Sequence, residues 1–215
     1  MKYLLIFTLL FFSACSIKTA PNEWQYKSAN AFSSYTQNFL KSNDVLAKND
    51  LDRAVQHAKK SADLTQLARI YLGECALNIS VGVNDSCEKY TNIQELLDNR
   101  ELDAYYAFLT LSISRENIKY LPSQYQEFAQ SFSTSNFKEA TLKTLSIEKE
   151  TSRLLCASLL KDKIENTSKR KFIETASYNG YKKTVLFWLG EILKTTKNQD
   201  EVKIIQKKIS ILKSK

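Results

Sequence analysis

The sequence predicts an all-α protein, and three features of its composition and patterning favour that fold class. The 215 residues include only four glycines and two prolines, whereas folds rich in hairpins or strand–helix turns need more turn residues. Leucine, alanine, lysine, glutamine and glutamate are abundant, and these residues favour helices. Apolar residues also recur at intervals of three and four along most of the chain. We expect about nine helices, stacked as antiparallel pairs, with no significant β-sheet.

The first half of the chain divides into five predicted helices. Each one is marked by an apolar stripe at helical spacing, and the segment VGVND between the third and the fourth is typical of a turn. Asparagine, aspartate and serine are the expected N-caps. The predicted helices run from Glu23 to the KSND segment, from an N-cap at Asn49 or Asp50 to Asp63, over 64–80, from an N-cap at Ser86 to Asn99, and over 100–117.

The second half contains stronger boundary signals. Pro122 favours the first turn of a new helix, and Gly180 breaks the helical pattern of 168–198. Residues 136–163 fit either one long helix or two. In the last predicted helix, one stripe is apolar and the opposite face carries lysines. That stripe consists of Val202, Ile205, Ile209 and Leu212.

The N-terminus has the pattern of an export signal. Lys2 precedes an apolar run over 3–12, which is about half the ~20 residues that a membrane-spanning helix needs but suits the apolar part of a signal peptide. A core helix is the alternative, although the run lacks polar residues at helical spacing. A lipid anchor or a signal peptide would place the folded part outside the cytoplasm.

The segment Phe12-Ser13-Ala14-Cys15 resembles the lipobox of bacterial lipoproteins. The resemblance implies that residues 1–14 are removed as a signal peptide and that Cys15 is lipidated, with an acyl chain such as palmitate. Residues 15–22 would then form a short tether, and 23–215 a single helical domain. In that family, a residue other than Asp after the cysteine, here Ser16, favours an outer-membrane lipoprotein facing the periplasm.

Charge is distributed unevenly along the chain. Residues 1–160 contain 17 basic and 17 acidic residues, whereas 161–215 contain 14 basic and 6 acidic residues. The stretch 74–103 is acidic. A basic end can bind nucleic acid in a cytosolic protein, but in an envelope protein its partners would be anionic lipids, lipopolysaccharide, peptidoglycan or an acidic protein. A solvated lysine-rich surface is the simple alternative. The candidate binding lysines are Lys182, Lys183, Lys203, Lys207 and Lys208.

Three cysteines remain after Cys15, and outside the cytoplasm two of them can form a disulfide. Cys75 and Cys87 flank the VGVND turn, so two helices joined there would bring them face to face. We therefore expect a Cys75–Cys87 disulfide, with Cys75–Cys156 as the alternative. Cys156 lies in the apolar segment RLLCASLL and is expected to be buried. With a single histidine and no C-x-x-C motif, we expect no metal site.

Two segments carry resemblances to helical repeats. The segment at 49–78 resembles a tetratricopeptide repeat, and IETASYNGYKKTVLFWLGEIL at 173–193 is similar to a Sel1-like repeat. The resemblance implies an α-solenoid that binds another protein through a concave surface, as scaffolds of outer-membrane, pilus or flagellar assemblies do. An irregular helical bundle is the alternative. Tyrosines beyond the needs of the core are candidate partner contacts: Tyr105, Tyr106, Tyr120, Tyr125, Tyr178 and Tyr181.

Enzyme motifs are missing from the sequence, which contains no G-x-S-x-G nucleophile motif and no phosphate-binding glycine loop. The sole histidine, His57, has no nucleophile or orienting acid in a recognisable motif. Glu101 and Asp103 are two residues apart and would point to different faces of a helix. We therefore expect a binding protein that has no catalytic residues, cofactor, small-molecule substrate or nucleic-acid partner. Its expected ligand is another envelope protein or, alternatively, an anionic envelope ligand at the basic end.

Overall fold

The computed structural model describes residues 22–214, and this part of the chain is all-helical, as predicted. It contains no β-strand. Instead, it forms eleven α-helices and one 3-10 helix, more than the expected nine. The α-helices are α1 Glu23–Leu40, α2 Asp44–Ala58, α3 Thr65–Ser80, α4 Glu88–Gln94, α5 Arg100–Leu109, α6 Ser123–Ser133, α7 Phe137–Ser146, α8 Glu150–Leu159, α9 Asn166–Tyr178, α10 Lys182–Leu193 and α11 Gln199–Lys213, and the 3-10 helix is Arg115–Tyr120.

Some predicted boundaries are wrong, most clearly at the start of α2. Asn49 and Asp50 lie inside this helix instead of capping it. Asp50 is buried, and its carboxylate accepts a hydrogen bond from Asn38 Nδ2 of α1 at 2.7 Å. It also pairs with Arg53, three residues further along α2. Likewise, the residue before α4 is Cys87, with φ of 58°, and Ser86 does not cap that helix. In both cases tertiary contacts override the local preference.

Other boundary signals agree with the structure. Pro122 directly precedes α6, and Gly180, with φ of +68°, separates α9 from α10. The segment 136–163 forms two helices, since Ile147 after α7 has extended backbone angles. Because the helix ends there, α7 and α8 pack against each other as separate helices.

The helices pack as pairs and across the chain. The pairs α1–α2, α6–α7 and α9–α10 are neighbours in sequence, whereas α3 packs against α8 and α1 reaches α10. These last two contacts join segments that are far apart in the sequence. The described part of the chain therefore closes on itself in addition to stacking helix pairs.

Two large apolar clusters form most of the core, and α3 and α8 belong to both. The first cluster includes Leu72 and Cys75 of α3 with Leu155 of α8. The second contains Leu77 of α3 and Leu154 of α8, packed around the fully buried indole of Trp188. Because α3 and α8 present apolar residues to both clusters, they form the centre of the fold.

A disulfide joins a cysteine inside α3 to the residue that precedes α4. It links Cys75 and Cys87, as predicted, and Cys156 is a free thiol buried in the first apolar cluster. Burial raises the pKa of the Cys156 thiol well above its usual value. Asp85 supports the bridge, because its carboxylate accepts hydrogen bonds from the Cys87 backbone N–H at 2.8 Å and from Asn78 Nδ2 at 2.7 Å.

Removing this disulfide should lower stability. We expect the double variant Cys75→Ser/Cys87→Ser to lose about 3 kcal/mol of unfolding free energy, because closing a loop of this size restricts the unfolded chain by about that amount. Urea unfolding, with and without a reductant, measures the loss. The reductant should destabilise the unmodified protein to a similar extent and leave the double variant unchanged. An unmodified protein whose unfolding midpoint does not respond to reduction would contradict the role of the bridge.

Candidate functional site

A groove with a volume of about 360 Å³ opens where α1, α3 and α8 meet. These are the two central helices, which contribute to both core clusters, and the first helix of the fold. Tyrosines from three other parts of the chain complete the walls. The groove is lined by Ala29, Phe32, Ser33, Thr36 and Gln37 of α1, Gly73, Ala76, Leu77 and Ser80 of α3, Glu150, Thr151, Ser152 and Leu155 of α8, and Lys149, Tyr105, Tyr125 and Tyr181.

An aromatic ring is held against the backbone of α3 in this groove. A Cβ atom built on Gly73 would lie 2.4 Å from Cζ of Phe32, far inside van der Waals contact. Only glycine at position 73 therefore lets the Phe32 ring occupy its place. The ring is half-buried and lies 5.5 Å, centroid to centroid, from the ring of Tyr35. The result is an apolar surface that is open on one side.

Hydroxyl and amide groups line the rest of the groove in fixed positions. The hydroxyls of Tyr125 and Ser152 lie 2.9 Å apart, and Gln124 Nε2 also donates to Ser152 at 2.9 Å. On the opposite wall, Gln37 Nε2 donates to the hydroxyl of Tyr181 at 3.2 Å. Because these groups hold one another, their remaining donors and acceptors are oriented before any ligand arrives.

The groove carries little net charge. Among the described residues that line it, one is a lysine, Lys149, and one is a carboxylic acid, Glu150, so that basic and acidic residues balance. Burial raises the pKa of both Tyr105 and Tyr125, so these phenols stay neutral and keep their hydroxyl protons. The groove therefore offers an aromatic surface with neutral hydrogen-bonding groups, which suits a neutral polar chain.

The structure divides the predicted tyrosines among several places. Tyr105, Tyr125 and Tyr181 lie together in the groove. Tyr106 faces a different cavity and packs on Tyr90, with ring centroids 5.4 Å apart. Tyr120 also lines that cavity. Tyr178 contacts none of these cavities and is 93% exposed. Three of the six predicted tyrosines thus line the groove, but Tyr125 and Tyr181 are buried members of the core clusters and not surplus to the core as predicted.

The predicted lysines do not form one surface. Lys183 pairs with Asp44 of α2 at 2.7 Å, and its Nζ lies 3.9 Å from the ring centroid of Phe39 on α1. Lys182 is half-buried at the start of α10. The remaining three, Lys203, Lys207 and Lys208, are exposed on α11. The basic end therefore divides between an internal contact and a solvent-facing helix.

The sequence interpretation missed the hydrogen-bonding residues of the groove. Thr36, Gln37 and Ser152 were not identified, although each stands close to apolar helix positions. In α8, Ser152 precedes Leu155 and Cys156 at helical spacing and is buried like them. A buried serine on an apolar stripe is a signal for a buried polar contact, and it was present in the sequence.

The other candidate chemical groups in the described residues include Asp103, which has hydrogen-bond partners, and His57, whose buried Nδ1 has none. Asp103 accepts hydrogen bonds from the hydroxyl of Tyr90 at 2.7 Å and from Gln94 Nε2 at 2.8 Å. Burial, followed by the positive charge of Lys60, lowers the pKa of half-buried His57. Residues 22–214 contain one group of three side chains of the kind that bind metals: Cys75, Asp85 and Cys87. The two cysteines of this group are bonded to each other in the disulfide.

No protein-family model, curated protein or solved structure matches the chain. Within residues 22–214, no helix combines the length and the apolar character that crossing a membrane requires. The predicted signal peptide, the lipidation site Cys15 and the tether up to residue 21 lie outside the described residues. The lipoprotein and repeat resemblances thus stay predictions.

Crowding the aromatic ring of the groove should destabilise the protein. We expect Gly73→Ala to cost roughly 1 kcal/mol or more, because the added methyl group must displace the Phe32 ring. The matched control is Gly190→Ala in α10, where a Cβ meets open space; it should raise stability by up to about 1 kcal/mol through helix propensity. Urea unfolding measures both changes.

The same substitution in a Phe32→Ala background tests the cause. Without the ring, Gly73→Ala should stabilise the protein as Gly190→Ala does. Equal effects of the two alanine substitutions in the unmodified background would show that Phe32 is not held against α3.

Proposed function

We propose that this protein is a lipid-anchored lipoprotein of the outer membrane that faces the periplasm and acts as a helical scaffold. Its groove would hold an extended segment of another cell-envelope protein, in an outer-membrane, pilus or flagellar assembly. The observation that carries the proposal is the groove itself. It is aromatic on one side, lined by fixed hydroxyl and amide groups elsewhere, and nearly neutral.

The dimensions and chemistry of the groove support an extended peptide. A volume of about 360 Å³ lies at the lower end of the usual range for ligand sites, and it suits a few residues better than a folded domain. Peptide groups need both donors and acceptors along their length. Tyrosine, serine and glutamine side chains provide both, while Phe32 offers contact area to an apolar side chain. Under this proposal, the protein acts by binding and performs no catalysis.

A bulky residue in the groove should abolish binding without unfolding the protein. Ser33 is exposed and lines the groove, whereas the neighbouring Ser34 is equally exposed but does not line it. We expect Ser33→Trp to remove the partner that in-cell crosslinking captures with the unmodified protein, and Ser34→Trp to retain it. Circular dichroism should show unchanged helix content in both. Retention of the partner by Ser33→Trp would exclude the groove as its binding site.

The lipid anchor is tested separately. We expect mass spectrometry of the full-length protein from membranes to find an acylated N-terminal Cys15, with residues 1–14 removed. Cys15→Ala should release the protein from the membrane fraction, because acyl chains provide the attachment. An unprocessed N-terminus, or a membrane association that Cys15→Ala does not change, would contradict the lipoprotein assignment.

The alternative function is binding of an anionic envelope ligand, peptidoglycan or lipopolysaccharide, through the basic end. It is favoured by the exposure of Lys203, Lys207 and Lys208 beside the exposed apolar side chains of Ile204 and Ile211. Steep weakening of binding by salt, and its loss when the three lysines are replaced by glutamine, would favour this function. Insensitivity to both would favour the groove.

A further inference from the structure

A second cavity, of about 380 Å³, lies beside the groove and shares the side chain of Tyr105 with it. Two exposed cations line this cavity, Arg69 of α3 and Lys119 of the 3-10 helix. Leu72 and Leu102 add apolar surface. Because Tyr105 lines both spaces, the two cavities are neighbours at this side chain, and an extended chain advances about 3.3 Å with each residue.

Within the described part of the chain, the positive charges around this cavity form no close ion pair. A third cation, Arg100, donates from Nη1 to the hydroxyl of Tyr120 at 3.5 Å, and Lys119 Nζ lies 5.0 Å from the centroid of the same ring. In residues 22–214, none of the ion pairs within 4.0 Å involves Arg69, Arg100 or Lys119. The hydrogen bond from Arg100 and then the positive charge of Lys119 lower the pKa of the Tyr120 phenol.

One carboxylate lines the cavity, that of the exposed Glu101. It is outnumbered by the three cations around the cavity, Arg69, Arg100 and Lys119. Other nearby acids are committed elsewhere. Glu74 pairs with Lys89 at 2.6 Å, and Asp103 accepts from the Tyr90 hydroxyl. Asp63, whose pKa is lowered by hydrogen bonds from Thr65 and weakly by Arg69, accepts from the Thr65 backbone N–H at 2.9 Å at the start of α3. Among the described residues, Glu101 is therefore the one acidic residue that lines this cavity.

We infer that the cavity lined by Arg69 and Lys119 binds an acidic side chain of the polypeptide that occupies the groove. This inference rests on the proposed function and adds the chemistry of the partner: a neutral polar segment followed or preceded by aspartate or glutamate. Arginine and lysine form charge-assisted hydrogen bonds with a carboxylate. The apolar contribution of Leu72 and Leu102 suits the methylene groups that carry it.

The experiment measures which peptides the full-length protein selects, in detergent micelles. The probe is a positional-scanning library of nine-residue peptides, acetylated and amidated so that only side chains carry charge. We expect aspartate and glutamate to be enriched roughly tenfold over asparagine and glutamine at one position. The double variant Arg69→Ala/Lys119→Ala should lose this preference and keep the neutral part of the selected sequence.

The matched control is Lys207→Ala/Lys208→Ala, which removes two exposed positive charges from α11 and should keep the preference. Arg69→Glu/Lys119→Glu should instead select lysine or arginine at the same position. Because all four substituted residues are exposed, unchanged urea unfolding should show that each variant folds.

The outcomes separate this inference from the proposed function. Binding that Ser33→Trp abolishes, but that shows no acidic preference, overturns the inference and leaves the groove intact. An acidic preference that survives Arg69→Ala/Lys119→Ala also overturns it. If the library does not bind, or binds without regard to Ser33→Trp, both the groove and the acidic site fail.

Discussion

The packing of α3 against α8 is the contact on which the rest of the structure depends. These two helices supply apolar residues to both large clusters of the core, and residues of both line the groove. The disulfide links α3, through Cys75, to the residue that precedes α4. Many of the side chains that line the groove therefore lie on the two helices that contribute to both core clusters, where close packing leaves few alternative arrangements.

The helical class, the disulfide and several helix ends follow from local chemistry. Few turn residues, apolar stripes at helical spacing, a proline before α6 and a glycine after α9 suffice for these features. The start of α2 does not follow from local chemistry. Asp50 has the features of an N-cap, but its carboxylate is used by Asn38 of another helix. A signal that depends on a contact across the fold is not visible in neighbouring residues.

The candidate site was predictable only in part, for the same reason. Tyr105, Tyr125 and Tyr181 were expected to be surplus to the core, but Tyr125 and Tyr181 are buried in it. All three nevertheless line the groove, where they arrive from three separate parts of the chain. The lysines show the reverse: Lys182 and Lys183 are close to α11 in sequence, but Lys183 contacts α1 and α2. Charge counted along a sequence does not predict a charged surface when helices from distant segments meet.

The closure of the chain between α3 and α8 has a consequence for synthesis. The first wall of the groove, α1 and α3, leaves the ribosome well before the second wall, α8, and Tyr181 follows later still. A truncated chain that ends before α8 has the first wall and no groove, and its apolar residues on α3 lack their partner. The set of residues that lines the groove is therefore complete only once the chain has been synthesised through Tyr181.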